Sequence, residues 1–250
     1  VRQEKAELVR SLDENGLFIG NGDDPAVCAL SSLSRAPYRM YGSTPGSFVE
    51  GQGSEVIYDE KDGVRVPIGM RFFMSSQGES FSVELKGILG THFLSTVLGA
   101  FAVGLLRGRT ISDMCDALTR FTPPSGRMRL LEGVGNTTII DDSYNSSPVA
   151  VRAALAALRE TEGRHKIALL GDMLELGEYS KEEHWKMGRL AGEFVDLLVV
   201  VGRNAPLVAE AAKTAGLPEE RIRIFEDAPT AGEWVRTRVK TGDLILVKGS

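Results

Sequence analysis

The 250-residue sequence has few cysteines, few aromatic residues and no long apolar run. Its two cysteines, Cys28 and Cys115, lie far apart, so they form neither a disulfide framework nor a metal-binding spacing. No apolar stretch reaches the length of a membrane-spanning helix, and the opening residues do not read as a signal peptide. We therefore expect a protein of a reducing, cytoplasmic compartment that does not bind membranes.

A basic cluster and a phosphate-binding loop are also missing. The formal net charge is -5, so we expect no nucleic-acid partner. No Gly-x-x-x-x-Gly-Lys-Ser/Thr pattern occurs, and the glycine-rich segment 42–46 lacks the lysine. A chain of this length is one large domain or two ordinary ones, and its 42% hydrophobic and 25% charged residues are typical of globular proteins.

The segment Phe121–Gly126 is rich in turn residues and predicts a linker between two domains, 1–122 and 123–250. Upstream, alternating segments separated by Asp62-Gly63 and Gln77-Gly78 predict antiparallel hairpins. Helices are predicted at Val1–Leu12, Val27–Leu33, Gly90–Leu106 and Thr110–Thr119, and short strands at Leu17–Gly20 and Tyr38–Tyr41.

Downstream of the linker, apolar strands alternate with helical segments. This series predicts an α/β fold with a parallel sheet covered on both faces. The predicted strands are Thr137–Ile140, Ile167–Leu170, Leu197–Val201, Ile222–Phe225 and Leu244–Val247.

Two carboxylates, Asp141 and Asp142, stand at the end of the first of these strands, before a polar turn and a helix. In open α/β sheets, ligands bind beyond the carboxyl ends of the strands. The two aspartates at that position, backed by the amide side chain of Asn145 and two hydroxyl groups, suit the ribose and base of a nucleotide. The alternative is plain N-capping of the following helix, for which aspartate and serine are also preferred.

A second motif, Leu170-Gly-Asp-Met-Leu-Glu-Leu-Gly177, lies one strand–helix unit later. Together with Gly126-Arg127 and Ile140-Asp-Asp-Ser-Tyr-Asn145, it closely resembles the MurF branch of the Mur ligase family. The resemblance runs from about Lys5 to Ser250. It implies a cytoplasmic, monomeric ligase of peptidoglycan synthesis that uses ATP and Mg²⁺ to add D-alanyl-D-alanine to UDP-N-acetylmuramoyl-tripeptide.

The resemblance also implies the architecture: part of a central ATPase domain, followed by a Rossmann-like C-terminal domain. The chain opens inside a helical pattern and closes on a strand, so we expect more sequence on both sides. That sequence would supply the phosphate loop and a UDP-binding domain, and we expect the chain alone to be inactive.

Nucleotide and metal roles follow from the resemblance. Lys5 matches a lysine that is commonly carbamylated in the family, and a carbamate supplies an oxygen ligand that suits Mg²⁺. Arg127 matches an arginine that contacts ATP, and Asp142 an aspartate near the ribose. His92 and Thr96 fall in the adenine-binding motif, but Phe93 and Thr96 replace its two asparagines.

Substrate roles are predicted for several further residues. Asp172 and Glu175, together with Glu178 and near His184, would meet the ammonium group of D-alanyl-D-alanine, although acidic residues also favour helix starts on their own. Lys248 would face a substrate carboxylate. Two other functions remain open: a folylpolyglutamate synthase-like ligase, which the segment 171–177 argues against, and a non-catalytic α/β module that binds a nucleotide or peptide.

Overall fold

A computed structural model describes residues 2–249. Val1 and Ser250, the first residue of the predicted opening helix and the last residue of the chain, lie outside the described part. The contacts divide the chain into two compact units. The first contains residues up to 55, 70–85 and 91–121, and the second contains 56–69, 86–90 and the residues from 122 onward. The division into domains after residue 122 stays a prediction.

The first unit is built on strands of a five-stranded sheet in the order β1-β2-β3-β4-β5, with β1, β2 and β3 parallel. Strands β3, β4 and β5 continue into residues of the second unit. In chain order the elements are α1 (Arg2–Arg10), β1 (Phe18–Asn21), α2 (Pro25–Cys28), β2 (Tyr38–Gly42), β3 (Val49–Lys61), β4 (Val64–Ser76), β5 (Glu79–Lys86), α3 (Phe93–Leu106) and α4 (Ile111–Leu118).

Two-residue turns join β3 to β4 and β4 to β5, as predicted. Asp62 and Gly63 have φ angles of 50° and 73°, and Gln77 and Gly78 have 52° and 84°. Left-handed values at both central residues are those of type I′ turns, whose twist matches that of the paired strands. The local turn chemistry therefore sets the register of both hairpins.

Helix α3 is the most apolar helix of the first unit and buries Val97, Leu98 and Phe101. It begins at Phe93, three residues later than predicted, because Gly90 has a φ of 120° that a helix does not accommodate. Its 14 residues extend about 21 Å, less than the roughly 30 Å of a bilayer core. Within residues 2–249 no helix combines the length and apolarity needed to cross a membrane.

The second unit contains a six-stranded sheet in the order β10-β9-β8-β11-β7-β6. Every neighbouring pair is parallel except β6 and β7. Its elements are β6 (Arg129–Glu132), β7 (Thr138–Asp142), α5 (Pro148–Glu160), β8 (Lys166–Leu170), α6 (Ser180–Gly192), β9 (Leu197–Val201), α7 (Ala205–Thr214), β10 (Ile222–Phe225), α8 (Ala228–Arg236) and β11 (Leu244–Lys248).

All five predicted strands are present in this sheet, and the parallel α/β fold is confirmed. The prediction missed β6, because Arg129-Leu-Leu-Glu132 is short, half-buried and flanked by charges. It pairs antiparallel with β7 at the sheet edge. The interior strands are apolar at their centres, where Ile140, Ala168 and Leu246 are fully buried. Since β7 to β11 run in one direction, their carboxyl ends meet along one edge, which we term the carboxyl edge.

Helices α6 and α7 pack closely because α6 carries glycine at two contact positions. A Cβ on Gly188 would lie 2.3 Å from the Val208 carbonyl oxygen, and one on Gly192 would lie 2.6 Å from that of Ala212. Real Cβ atoms do not approach oxygen so closely. The two glycines therefore set the distance between the helices.

We predict that Gly188→Ala lowers the free energy of unfolding by about 1–3 kcal/mol, because a well-packed contact must move apart. The matched control is Gly232→Ala on α8, where a Cβ meets no atom within 4 Å. That change should stabilise by up to about 1 kcal/mol through helix propensity. Urea unfolding of both variants measures the difference, and equal effects would contradict the packing argument.

Candidate functional site

A buried ion pair lies at the carboxyl edge between the last residues of β7 and β11. Lys248 and Asp142 are neighbours in the strand register, and the Lys248 Nζ atom lies 2.8 Å from Asp142 Oδ2. The lysine is 1% exposed and the aspartate 8%. The ammonium also donates to the backbone carbonyls of Asp142 and Asn145. The pair thus ties the turn after β7 to the interior of the sheet.

These three contacts account for the three N–H donors of an ammonium group. In this arrangement Lys248 organises the turn rather than facing outward. Its predicted contact with a substrate carboxylate stays a prediction that would require one of these bonds to open. Asn145 is exposed at the surface of the same turn, where its side-chain oxygen accepts from the Ser146 amide.

The segment Gly126–Met128 wraps around the end of β7. The Gly126 amide donates to Asp141 Oδ2 at 2.9 Å, and the Met128 amide donates to Asp142 Oδ1 at 3.2 Å. The Tyr144 amide donates in return to the Gly126 carbonyl at 3.2 Å. Glycine is required at 126, because φ is 69° and a Cβ would lie 2.7 Å from the Tyr144 nitrogen. Both aspartates therefore position the backbone on either side of residue 127.

Arg127 is exposed, and its guanidinium carbon lies 4.1 Å from the centre of the Tyr144 ring, which is 68% exposed. A guanidinium over an aromatic face is held by cation–π attraction. Its N–H groups are in a fork that suits phosphate oxygens. The carboxyl edge therefore presents a positioned cation beside an exposed aromatic ring.

Asp172 connects the ends of β8 and β9. Its carboxylate accepts from the Arg203 amide at 2.9 Å and from the Asn204 amide and side chain at 3.1 and 3.2 Å. The preceding Gly202 has a φ of 107°, and a Cβ there would lie 2.7 Å from Asp172 Oδ2. Asp172 thus holds a backbone loop.

His184 is fully buried under the same turn. Its Nε2 atom accepts from the Met173 amide at 3.0 Å, so Nδ1 carries the proton and donates to the Ser180 carbonyl at 2.7 Å. Nε2 also lies 3.5 Å from Asp172 Oδ1. His184 therefore shapes the turn after β8, and its place in a substrate site stays a prediction.

Glu175 is exposed on that turn and adopts a left-handed φ of 61°. Leu174 beside it is 58% exposed. The turn therefore displays a carboxylate and an apolar side chain at the carboxyl edge, where Asp172 and His184 hold its base. Its substrate-binding role also stays a prediction.

Three predicted residues lie in the first unit. Lys5 is exposed on α1, and His92 and Thr96 are exposed at the start of α3. The His92 ring lies 4.4 Å from the Phe93 ring. Among the described residues no group of three or more His, Cys, Asp or Glu side chains could hold a metal ion. The role of Lys5 as a carbamylated ligand stays a prediction.

The structure thus brings six of the predicted site residues of the second unit to one edge of one sheet, with His184 buried beneath it. Sequence reasoning missed the contributions of Tyr144 and Gly202, and it assigned Asp141 to a nucleotide without foreseeing its bond to the Gly126 amide. An exposed aromatic residue inside the polar turn 141–147 was the available signal for Tyr144. No nearby sequence signal indicated Gly202, because the carboxylate that leaves no room for a Cβ there is that of Asp172, which follows another strand.

Comparisons with known proteins agree with this arrangement. The Mur ligase, glutamate ligase domain model matches residues 126–250. The UDP-N-acetylmuramoyl-tripeptide–D-alanyl-D-alanine ligase of Mycobacterium tuberculosis is 32% identical over 272 residues, covering 100% of this chain and 51% of the relative.

Two solved structures are similar to this chain in fold. MurF from Acinetobacter baumannii has a TM-score of 0.81 at 24% identity, covering 100% of this chain and 52% of that one. MurF from Thermotoga maritima in complex with ADP has a TM-score of 0.74 at 25% identity, covering 99% and 53%. The chain therefore spans about half the length of the relatives it matches.

We predict that Lys248→Met lowers the free energy of unfolding by about 3–5 kcal/mol, because it leaves the Asp142 carboxylate buried without its partner. The control is Lys186→Met, which removes an exposed lysine paired with Glu182 and Glu183 and should cost about 1 kcal/mol or less. Denaturant titration of the chain measures both. A loss below about 1 kcal/mol for Lys248→Met would contradict the ion-pair argument.

Proposed function

Because the chain belongs to the Mur ligase family, we propose that it acts as part of a MurF-type ligase. This enzyme joins D-alanyl-D-alanine to UDP-N-acetylmuramoyl-tripeptide in the cytoplasm, using ATP. Support comes from the motif at 170–177 and from the name of the M. tuberculosis relative. In this proposal, residues 1–122 are the later part of the central ATPase domain and residues 123–250 are the C-terminal domain.

The proposed reaction has two steps. The terminal carboxylate of the tripeptide attacks the γ-phosphorus of ATP, which forms an acyl phosphate and releases ADP. The amine of D-alanyl-D-alanine then attacks the acyl carbon, and inorganic phosphate leaves as the amide bond forms. Lys5, as a carbamate, would be this chain's ligand for Mg²⁺, which would supply positive charge near the transferring phosphoryl group.

The observation that carries the role of this chain is the placement of Arg127. Hydrogen bonds from residues 126 and 128 to the two aspartates fix its backbone, while its guanidinium stays exposed. We propose that it binds the phosphates of ATP and that the Asp142–Asn145 turn lies beside the ribose. Arg127 would orient the transferring phosphoryl group and stabilise its developing charge.

The phosphate loop is not among these 250 residues. We predict that the chain alone releases no phosphate from ATP when UDP-muramoyl-tripeptide, D-alanyl-D-alanine and Mg²⁺ are present, because the β- and γ-phosphates lack a preorganised site. A chimera that adds the uncovered portion of the M. tuberculosis relative should release phosphate only with both substrates. Turnover by the chain alone, or a chimera indifferent to the dipeptide, would count against the proposal.

In that chimera, we predict that Arg127→Ala lowers kcat/KM for ATP by about ten- to hundred-fold, the value of one charge-assisted hydrogen bond. The melting temperature should change little, because the side chain is exposed. Arg127→Lys should recover part of the activity, since it restores charge without the planar fork. Arg236→Ala, an exposed pair partner of Glu233, is the control and should leave the kinetics unchanged.

A further inference from the structure

A cavity of about 250 Å³ forms a groove between α5 and α6. Val151 of α5 and Met187 and Leu190 of α6 form apolar walls, and Met173 reaches in from the turn after β8. Pro148, the first residue of α5, closes one end. Because Met173 and Pro148 follow the ends of β8 and β7, the groove opens beside the carboxyl edge. Its volume is below that of sites for drug-sized ligands and suits a small metabolite.

Three charged side chains border the groove. Glu183 lies 2.8 Å from Lys186 Nζ and 3.3 Å from Arg152 Nη1. The hydrogen bond from Lys186 holds the pKa of Glu183 below its usual range, so this carboxyl is anionic. Two cations therefore face one carboxylate within the lining. Glu182, which also pairs with Lys186, is not part of the lining.

Arg152 has the geometry to accept a second anion. Its side chain is 54% exposed, and its contact with Glu183 uses Nη1 at the long end of the hydrogen-bond range. A guanidinium carries five N–H donors and binds carboxylates through two of them at once. An incoming carboxylate would compete for this edge with Glu183, whose side chain is 17% exposed and also contacts Lys186.

We infer that this groove binds the D-alanyl-D-alanine substrate, with its C-terminal carboxylate on Arg152 and its methyl groups against Met173 and Met187. The inference rests on the proposed function and assigns it a substrate site. The dipeptide combines one carboxylate with two small apolar groups, which matches a cationic rim above apolar walls. Methionine side chains adapt to small ligands, because they are unbranched and polarizable. The amine end then points away from the rim.

The first experiment uses the 250-residue chain and NMR titration. D-alanyl-D-alanine should cause saturable shifts at Val151, Met173 and Met187. Its carboxamide analogue, which lacks the carboxylate, should bind about tenfold more weakly, as expected for one lost charge-assisted hydrogen bond. Shifts that do not involve the groove, or equal affinity for the two ligands, would overturn the inference.

The second experiment compares charge-neutral variants in the same titration. Arg152→Gln should weaken D-alanyl-D-alanine binding about tenfold, whereas Glu183→Gln should strengthen it, because the competing carboxylate is gone. A merely structural ion pair predicts no gain for Glu183→Gln, and an ammonium-binding role for Glu183 predicts a loss. Arg236→Gln, at an exposed pair on α8, is the matched control and should leave binding unchanged.

The chimera separates failure of this site from failure of the proposed function. With ligase activity present, Arg152→Gln should raise KM for D-alanyl-D-alanine about tenfold and leave KM for ATP unchanged. An active chimera with unchanged KM for the dipeptide would overturn the groove and leave the ligase proposal standing. An inactive chimera would contradict the ligase proposal, and the titrations on the chain would still decide the groove.

Discussion

The buried pair between Asp142 and Lys248 is the interaction on which the carboxyl edge depends. Lys248 ends β11, an interior strand that lies between β7 and β8. Its ammonium holds the turn that leads into α5, and the paired Asp142 holds the amide of Met128 beside Arg127. A buried charge is costly when it loses its partner, so both positions are strongly constrained. One ion pair thus determines the start of a helix and the placement of an exposed arginine.

A related device recurs at the ends of parallel strands in both units. Asp172 follows β8 and accepts backbone amides from the loop after β9, and Asp23 follows β1 and accepts the Ser43 amide after β2. In each case a glycine precedes the bonded amide and leaves room for the carboxylate. Such carboxylates satisfy loop amides that have no strand partner, and they hold neighbouring loops in register. Acidic residues at these strand ends therefore stabilise neighbouring loops, even where their position also suggests a catalytic role.

The proposed function depends on the side chains of the second unit that stay exposed. Most predicted site residues of the second unit have side chains engaged in holding turns, while Arg127, Tyr144 and the groove at Arg152 remain open to ligands. This division matches a ligase in which one part cradles ATP and another supplies an arginine and the amine substrate. A rigid supporting layer also keeps the reacting groups in place, which is a large part of catalysis by positioning.

Much of the fold was readable from local pattern. The five parallel strands, the helical segments between them and the positions of both hairpin turns were predicted, because alternation, apolar runs and turn dipeptides report burial and backbone geometry directly. The short motifs at 126–127, 140–145 and 170–177 likewise indicated the family. The edge strand β6 was not predicted, because a short half-buried segment has too little periodicity to distinguish it from a linker.

Local sequence patterns did not predict which side chains bond to each other. Lys248 and Asp142 meet across 106 residues of sequence, and Asp172 reaches a loop about 30 residues away. Their meeting depends on the strand order β9-β8-β11-β7 and on a register that no local window contains. Sequence pattern therefore established which elements form and which polar residues follow the strands. Three-dimensional packing established which of those residues are occupied in holding the fold and which stay exposed, because only the assembled sheet brings their partners together.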